Sequence, residues 1–271
     1  MKVYCIISDE RAFRSKSPAM FSAVMKRLGL RATYVPFHVR PENIGQAMNS
    51  LRILNVAGAN VTVPYKEAVV SHMDVLSEGA NIIGAINTIV INGDVLKGYN
   101  TNAIGIMDAL GDAGFNTEDK SALVFGNGGA AKAVVFILNW LRTGTIYVTG
   151  RNRGKAQAMV DRFGGKALPL STVSDRPVPV HIVVNATAVS TGDESREMAE
   201  MAARLELPDC ELVLDLNYDR EDNFWQKMAD RNGIRFMDGL TPLAYQARRT
   251  FALWTGMNVP PEVFIEELGA I

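Results

Sequence analysis

The feature that most constrains this chain is a glycine turn near its middle, Gly126-Asn127-Gly128-Gly129-Ala130-Ala131. It sits between an apolar run ending at Phe125 and a helical run opening at Ala130. The spacing is G-x-G-x-x-A. The first glycine suits a tight turn after a strand, and the second lets the backbone approach a pyrophosphate. The small third position lets helix and strand pack closely. The N-terminus of the helix then offers free N–H donors and the positive end of its dipole. The rhythm around the turn is consistent with this. After Asn116, apolar strands predicted at 122–125, 145–149, 181–185 and 212–216 alternate with helical stretches at 130–141, 155–163, 197–205 and from Asn223. Near-continuous apolar strands separated by helices predict a parallel sheet covered on both faces.

The end of the second of these strands discriminates between dinucleotides. An NAD site carries an acidic residue there for the ribose 2′-hydroxyl, and an NADP site needs cations for the 2′-phosphate. This chain has Thr149-Gly150-Arg151-Asn152-Arg153, with no carboxylate before Asp161. A guanidinium can pair with phosphate and also lie flat on adenine. The expected cofactor is NADP.

The first hundred residues read as a second α/β lobe. Strands are predicted at 2–8, 34–39 and 58–63, the last stopped by Pro64. Ser17-Pro18 reads as a helix start with Ser17 at the N-cap, and Pro41 as the opening of a helix through Leu51. The runs 86–91 and 95–99 flank Asn92-Gly93, a strong hairpin signal. The stretch 241–254 is helical in period but has no place in the preceding sheet.

Composition excludes several function classes. With 28 basic against 29 acidic residues the net charge is −1, so the chain lacks the concentrated positive charge that nucleic-acid binding requires. Cys5 and Cys210 stand far apart, and His38, His72 and His181 are scattered, so no metal site is expected. No apolar run approaches the roughly 18 residues of a membrane span. The run around 134–138 reads as a buried helix, and a soluble cytoplasmic protein is the default expectation.

Four stretches of the first lobe place hydroxyl, amide and ammonium groups at strand ends. They are Ser15-Lys16-Ser17-Pro18, the run from Asn60 to Glu67 (N-V-T-V-P-Y-K-E), Gly84-Ala85-Ile86-Asn87-Thr88, and Tyr99-Asn100-Thr101-Asn102. Two serines at a helix start suit a carboxylate, and Asn and Thr side chains suit hydroxyls. A lysine beside them suits proton transfer at an alcohol or ketone. Taken singly, Ser17 is also readable as a cap, Lys66 as a solvated helix residue and Asn87 as a turn residue.

In sequence order these stretches resemble the shikimate dehydrogenase family. Its S-x-S-P is similar to residues 15–18, its N-x-T-x-P-x-K-E to 60–67 and its G-A-x-N-T to 84–88. Its glycine turn is similar to 126–133, its N-A-T to 185–187, and its D-G-L…Q-A…W-x-G tail to Asp238 through Gly256. The resemblance implies an NADP-dependent oxidoreductase interconverting 3-dehydroshikimate and shikimate, on the route to chorismate and the aromatic amino acids. It implies that Ser15 and Ser17 hold the substrate carboxylate. Asn60, Thr62, Asn87 and Gln246 would then bind ring hydroxyls, Tyr218 would line the site, and Lys66 would be the general acid/base. Cofactor contacts would come from Gly126, Asn127, Gly128, Gly129, Ala130, Arg151, Asn152, Arg153, Asn185, Ala186, Thr187 and Gly239. The implied fold is α/β in two lobes. Residues 1–102 plus 239–271 would form a discontinuous substrate lobe, and 103–238 a Rossmann-type NADP lobe. The implied assembly is a monomer or homodimer.

One departure touches the chemistry. The family's N-T-D-G reads here Asn100-Thr101-Asn102-Ala103, so Asn102 stands where the partner carboxylate of the lysine is expected. An amide can hydrogen-bond a hydroxyl but takes no proton near neutral pH. Without a carboxylate beside it, Lys66 is expected to have a lowered pKa. Turnover slowed at Asn102, a relative acting on quinate or another hydroxylated ring acid, and a weakly catalytic binding protein all remain open. Smaller departures fall at Asp9-Glu10-Arg11, Ala188-Val189-Ser190, Tyr218-Asp219-Arg220 and Thr241-Pro242-Leu243.

Overall fold

The structure is a computed structural model and describes residues 1–270. The chain divides into two compact units, Met1–Ile106 together with the tail from Leu243 on, and Met107–Pro242.

The first unit opens with β1 (Lys2–Ser8), α1 (Ser17–Arg27), β2 (Ala32–His38), α2 (Ile44–Ile53) and β3 (Gly58–Val61). It continues through β4 (Val75–Leu76), α3 (Glu78–Ile83), β5 (Thr88–Asn92) and β6 (Val95–Tyr99), from which α4 (Thr101–Asp112) leads onward. The strands form one mixed sheet in the order β2-β1-β3-β5-β6-β4. β1 runs parallel to β2 and β3, while β3–β5 and β5–β6 are antiparallel. In the hairpin Asn92 faces Val95, and Gly93 takes the left-handed conformation the turn requires (φ +58°).

Three local expectations are corrected. Ser17 is the first helical residue and not the N-cap; Lys16 precedes it without a side-chain cap, and Ser15 Oγ accepts from Ser17 N at 3.2 Å. Pro41–Asn43 forms a separate 3-10 turn, so the helix proper begins at Ile44. The third strand stops at Val61, because Thr62 already enters a turn in which Tyr65 N donates to its carbonyl at 3.0 Å.

The second unit contains β7 (Ser121–Phe125), α5 (Gly129–Trp140), β8 (Thr145–Thr149), α6 (Arg153–Phe163), β9 (Lys166–Ala167) and α7 (Leu170–Asp175). β10 (Ile182–Asn185), α8 (Arg196–Arg204), β11 (Leu212–Asp215), α9 (Phe224–Arg231) and β12 (Arg235–Met237) complete it. Its sheet is parallel throughout, in the order β12-β11-β10-β7-β8-β9. This is the doubly wound order. Its topological switch point lies between β7 and β10, where such sheets bind ligands at the carboxyl ends of their strands. Leu123, Phe125, Val183, Val213 and Trp225 pack one covered face of this sheet.

The last helices, α10 (Leu240–Thr255) and α11 (Pro261–Gly269), bring the chain back to the first unit. Trp254 stacks on Tyr4 with ring centroids 4.8 Å apart, and its indole N–H donates to Ile89 O at 3.0 Å. Gly58 accommodates this, since a Cβ there would run into the indole. Phe21 stacks on Tyr34 at 4.9 Å beneath the same tryptophan. Burial of each such aromatic contributes about 1.5–3 kcal/mol. This explains why the helical C-terminal stretch fits no strand of the sheet before it.

No helix among the described residues is long and apolar enough to cross a membrane, and no group of His, Cys, Asp or Glu among them could hold a metal ion.

Candidate active site

In the first unit the polar side chains at the strand ends sort into two layers. The inner layer is saturated by its own hydrogen bonds. Tyr34 donates to Asn60 Oδ1 at 2.8 Å. Asn60 Nδ2 donates to Asn87 O at 2.9 Å and to Thr88 Oγ1 at 3.1 Å. The Thr88 hydroxyl is shared with Thr101 at 3.1 Å and Thr250 at 2.9 Å. Asn87 is locked from both sides. Its Oδ1 accepts from Thr101 N at 2.7 Å, and its Nδ2 reaches Thr101 Oγ1, Asn102 Oδ1 and Gln246 Oε1 within 3.0 Å. Asn100 reaches back to Ala85 O at 2.9 Å and accepts from Ala103 N at 3.3 Å, as a residue capping α4 does. A buried network this complete holds one geometry, because any rotation leaves an unpaired polar group.

The outer layer keeps free functional groups. Among the described residues the Ser17 and Thr62 hydroxyls, the Lys66 ammonium, the Asn102 NH2 and the Gln246 NH2 have no hydrogen-bond partner. Of the expected substrate contacts, Asn60 has both amide hydrogens spent inward, so it can offer a ring hydroxyl only an oxygen lone pair. Tyr34, Thr88 and Thr250 complete the inner layer, and no local motif points to them. They reach Asn60 and Thr101 only through pairing of β3 with β5 and packing of α10.

Lys66 is positioned by its backbone. Tyr65, buried just before it, donates to Val39 O, and Ser8 Oγ donates to Val63 O. Ile86 N donates to Lys66 O at 2.8 Å, which sets the lysine alongside the segment that carries Asn87. Burial without a neighbouring carboxylate pulls its pKa from the ordinary lysine value down to about 8. An amine that titrates there is suited to exchange protons near neutral pH.

The second unit presents the glycine turn at its switch point. Gly126 has φ +116°, and a Cβ on it would come within 2.9 Å of Ala186 O, so only glycine fits. At Gly128, the N-cap of α5, a Cβ would meet no protein atom within 4 Å. Nothing in the protein's own packing therefore demands glycine there, whereas the approach of a pyrophosphate does. Arg151, Arg153 and the neighbouring Lys155 are exposed and have no acidic partner among the described residues. Asn152 caps α6 by accepting from Lys155 N at 2.9 Å. Uncompensated cations at the exit of β8 suit a 2′-phosphate. The donor set fits NADP.

Asn185 is placed differently from a direct cofactor contact. Its Oδ1 accepts from Thr187 N and Oγ1, and its Nδ2 donates to Asp215 Oδ1 at 2.8 Å and Val189 O at 3.0 Å. It shapes the loop that presents Ala186 and Thr187. Asp215 is the hub of this region and is unmarked in the sequence, a single carboxylate ending an apolar strand. Its oxygens also accept from Ser190 Oγ at 2.6 Å, Asn223 Nδ2 at 2.8 Å, and Asn217 N and Nδ2 at 3.0 Å. Burial raises its pKa above the ordinary carboxylate value against those bonds. Tyr218 follows Asn217 in the loop so held. Gly239 is required by close approach to Leu216 O and donates to Asn217 O at 2.9 Å.

Known proteins resemble this chain over nearly its whole length. Residues 10–89 match the family described as shikimate dehydrogenase substrate binding domain, and 109–231 match shikimate / quinate 5-dehydrogenase. A shikimate dehydrogenase (NADP(+)) of Desulforamulus reducens is 40% identical over 258 residues, 92% of this chain and 88% of that protein. One from Pyrococcus abyssi is 34% identical over 99% of both chains. The crystal structure of shikimate 5-dehydrogenase from Thermus thermophilus in complex with NADP(H) and shikimate superposes with TM-score 0.87 at 31% identity, covering 100% of this chain and 99% of that one.

Proposed function

The chain belongs to the shikimate dehydrogenase family, and from that premise we propose that it catalyses the reversible NADP-dependent interconversion of 3-dehydroshikimate and shikimate. The observation that carries the reading is the Lys66 ammonium, with a pKa near 8, on a segment whose backbone is hydrogen-bonded to the one that carries Asn87, whose side chain in turn orients Asn102 and Gln246. Bound NADP would supply the hydride acceptor, and NADPH the donor, at its nicotinamide ring.

We assign substrate binding to the first unit and cofactor binding to the second. Ser15 and Ser17 take the ring carboxylate, with help from the N-terminal dipole of α1. Thr62 and Gln246 fix the ring hydroxyls, Asn87 turns Asn102 and Gln246 through its amide, and Asn60 holds Asn87 in place. In oxidation, neutral Lys66 accepts the proton of the reacting hydroxyl as its carbon loses hydride. In reduction, the Lys66 ammonium returns that proton to the carbonyl oxygen. Asn102 donates to the same oxygen through its free NH2 but takes no proton, so turnover is slower than with a carboxylate there. Gly126 to Ala130 cradle the pyrophosphate. Arg151 and Arg153 receive the 2′-phosphate, and Asn185 with Gly239 shapes the loops on the nicotinamide side. The enzyme acts in the cytoplasm, as a monomer or homodimer, on the route to chorismate.

The deciding assay is initial rates with shikimate, quinate and 3-dehydroshikimate, each with NADP(H) and NAD(H). Shikimate with NADP is expected to be the best oxidation pair, with activity lost in Lys66→Ala. A second reading, a ligand-binding protein, is favoured by Asn102 alone. It requires shikimate to bind with no NADPH formed even at pH 10 and high enzyme concentration.

A further inference from the structure

We propose that Asn127 determines the preference for NADP over NAD by pinning the backbone segment that carries Arg151. The glycine turn is tied to the exit of β8 at two points. Gly126 N donates to Thr149 O at 2.8 Å, and Asn127 Nδ2 donates to Asn152 O at 2.8 Å. Only Gly150 and Arg151 lie between these anchors. Asn152 is itself held as the cap of α6, and its carbonyl also accepts from Ala156 N at 3.1 Å. The span is therefore fixed at both ends.

Gly150 is the counterpart of Asn127. A Cβ at position 150 would stand 3.1 Å from Asn127 Nδ2, tighter than ordinary contact, so the amide occupies room that a side chain would take. The Arg151 guanidinium is exposed and without an acidic partner, so no side chain holds it where a phosphate needs it. Its placement comes through the backbone. A pre-fixed backbone loses less entropy when the cation closes on a phosphate. A nucleotide without the 2′-phosphate does not use that cation and gains nothing from the pin. The inference rests on the reading of Arg151 as a ligand of the 2′-phosphate.

The test measures kcat/KM for NADP and for NAD, with the KM for shikimate and Tm, in the full-length protein. The variants are Arg151→Ala, Asn127→Ala, their double mutant and Gly150→Ala. Arg151→Ala is expected to lower the NADP-to-NAD ratio about tenfold or more, the loss of a charge-assisted bond. Asn127→Ala is expected to lower it about fivefold through KM for NADP, with the KM for shikimate unmoved. Gly150→Ala should reproduce that change by displacing the amide. In the double mutant the ratio should fall no further than in Arg151→Ala. Equal losses with both nucleotides, or an Asn127→Ala effect that adds in full to that of Arg151→Ala, would overturn the proposal. A collapsed ratio in Arg151→Ala with an unchanged one in Asn127→Ala overturns the pin alone. An unchanged ratio in Arg151→Ala removes the reading of Arg151, and the proposal with it.

Discussion

Asn87 Nδ2 lies 2.8 Å from Asn102 Oδ1, and the backbone of Thr101 decides which way that contact runs. Thr101 N donates to Asn87 Oδ1, so Asn87 must turn its NH2 toward Asn102, and Asn102 must answer with its oxygen. A carboxylate at 102 would accept the same bond and leave the inner network undisturbed. Asn102→Asp is therefore expected to fold normally and to raise kcat for shikimate oxidation about tenfold or more, with KM within about threefold. Initial rates for the two proteins decide it. An unchanged kcat would mean that Lys66 already works at full effect without a carboxylate.

Lys66 sets a pH dependence that the residue at 102 should modulate. Oxidation needs neutral Lys66, and burial holds its pKa at about 8. The kcat/KM for shikimate should rise through about pH 8 and level off above it. In Asn102→Asp the added negative charge favours the ammonium, so the rise should move to higher pH. A profile that is identical in the two proteins would show that the titrating group is not Lys66.

Much of this was legible in the sequence, and the parts that were not share a cause. Buried parallel strands such as β7 and β10 read as apolar runs, and the glycine turn reads as spacing, because both signals are local. β9 and β12, at two and three residues, are too short to carry a period. The Asn60–Glu67 run is visible as a motif. That Asn60 spends its amide inward depends on Tyr34 and Thr88, which pairing of β1, β2, β3 and β5 brings to it. Asp215 leaves no mark because its partners come from the end of β10 (Asn185), the loop after it (Ser190) and the loop after β11 (Asn217 and Asn223), which only the fold brings together.

Lys66 should cost stability. Its pKa is lower in the folded protein than in the unfolded chain, so below about pH 8 the fold carries the penalty of a half-buried, desolvated ammonium. Between that value and the unfolded pKa the unfolded chain binds more protons, and stability rises with pH. Lys66→Met is expected to abolish turnover and to add about 2–3 kcal/mol at pH 7, shrinking to near zero above about pH 10.5. Urea midpoints for both proteins across that range measure the difference. A gain that does not vary with pH would point to packing instead.

Asp215 makes the opposite prediction. All its partners are donors, so Asp215→Asn turns an NH2 toward at least one of them, and Asp215→Ala leaves several buried donors unpaired. Losses of about 2–4 kcal/mol follow, larger for alanine. Removing the exposed pair Arg196–Glu200 should cost under about 0.5 kcal/mol. Because loops 186–192 and 217–223 both hang on this carboxylate, KM for NADP should rise in Asp215→Asn even below the melting transition. Denaturation curves with cofactor titrations check both parts.

The two glycines of the turn should separate folding from binding. Gly126 has a positive φ and no room for a Cβ against Ala186 O, so Gly126→Ala strains the backbone and crowds β10. It is expected to lower stability by about 1–3 kcal/mol, with loss of NADP binding as a consequence. At Gly128 the backbone is extended (φ −98°) and a Cβ would touch no protein atom. Gly128→Ala should therefore keep Tm within about 2 °C, a change of no more than about 1 kcal/mol for a protein of this size. Its methyl group would lie where the pyrophosphate must approach, so KM for NADP should rise about tenfold while KM for shikimate stays put. Equal KM values for NADP in Gly128→Ala and the parent would show that the phosphates do not pass over this turn.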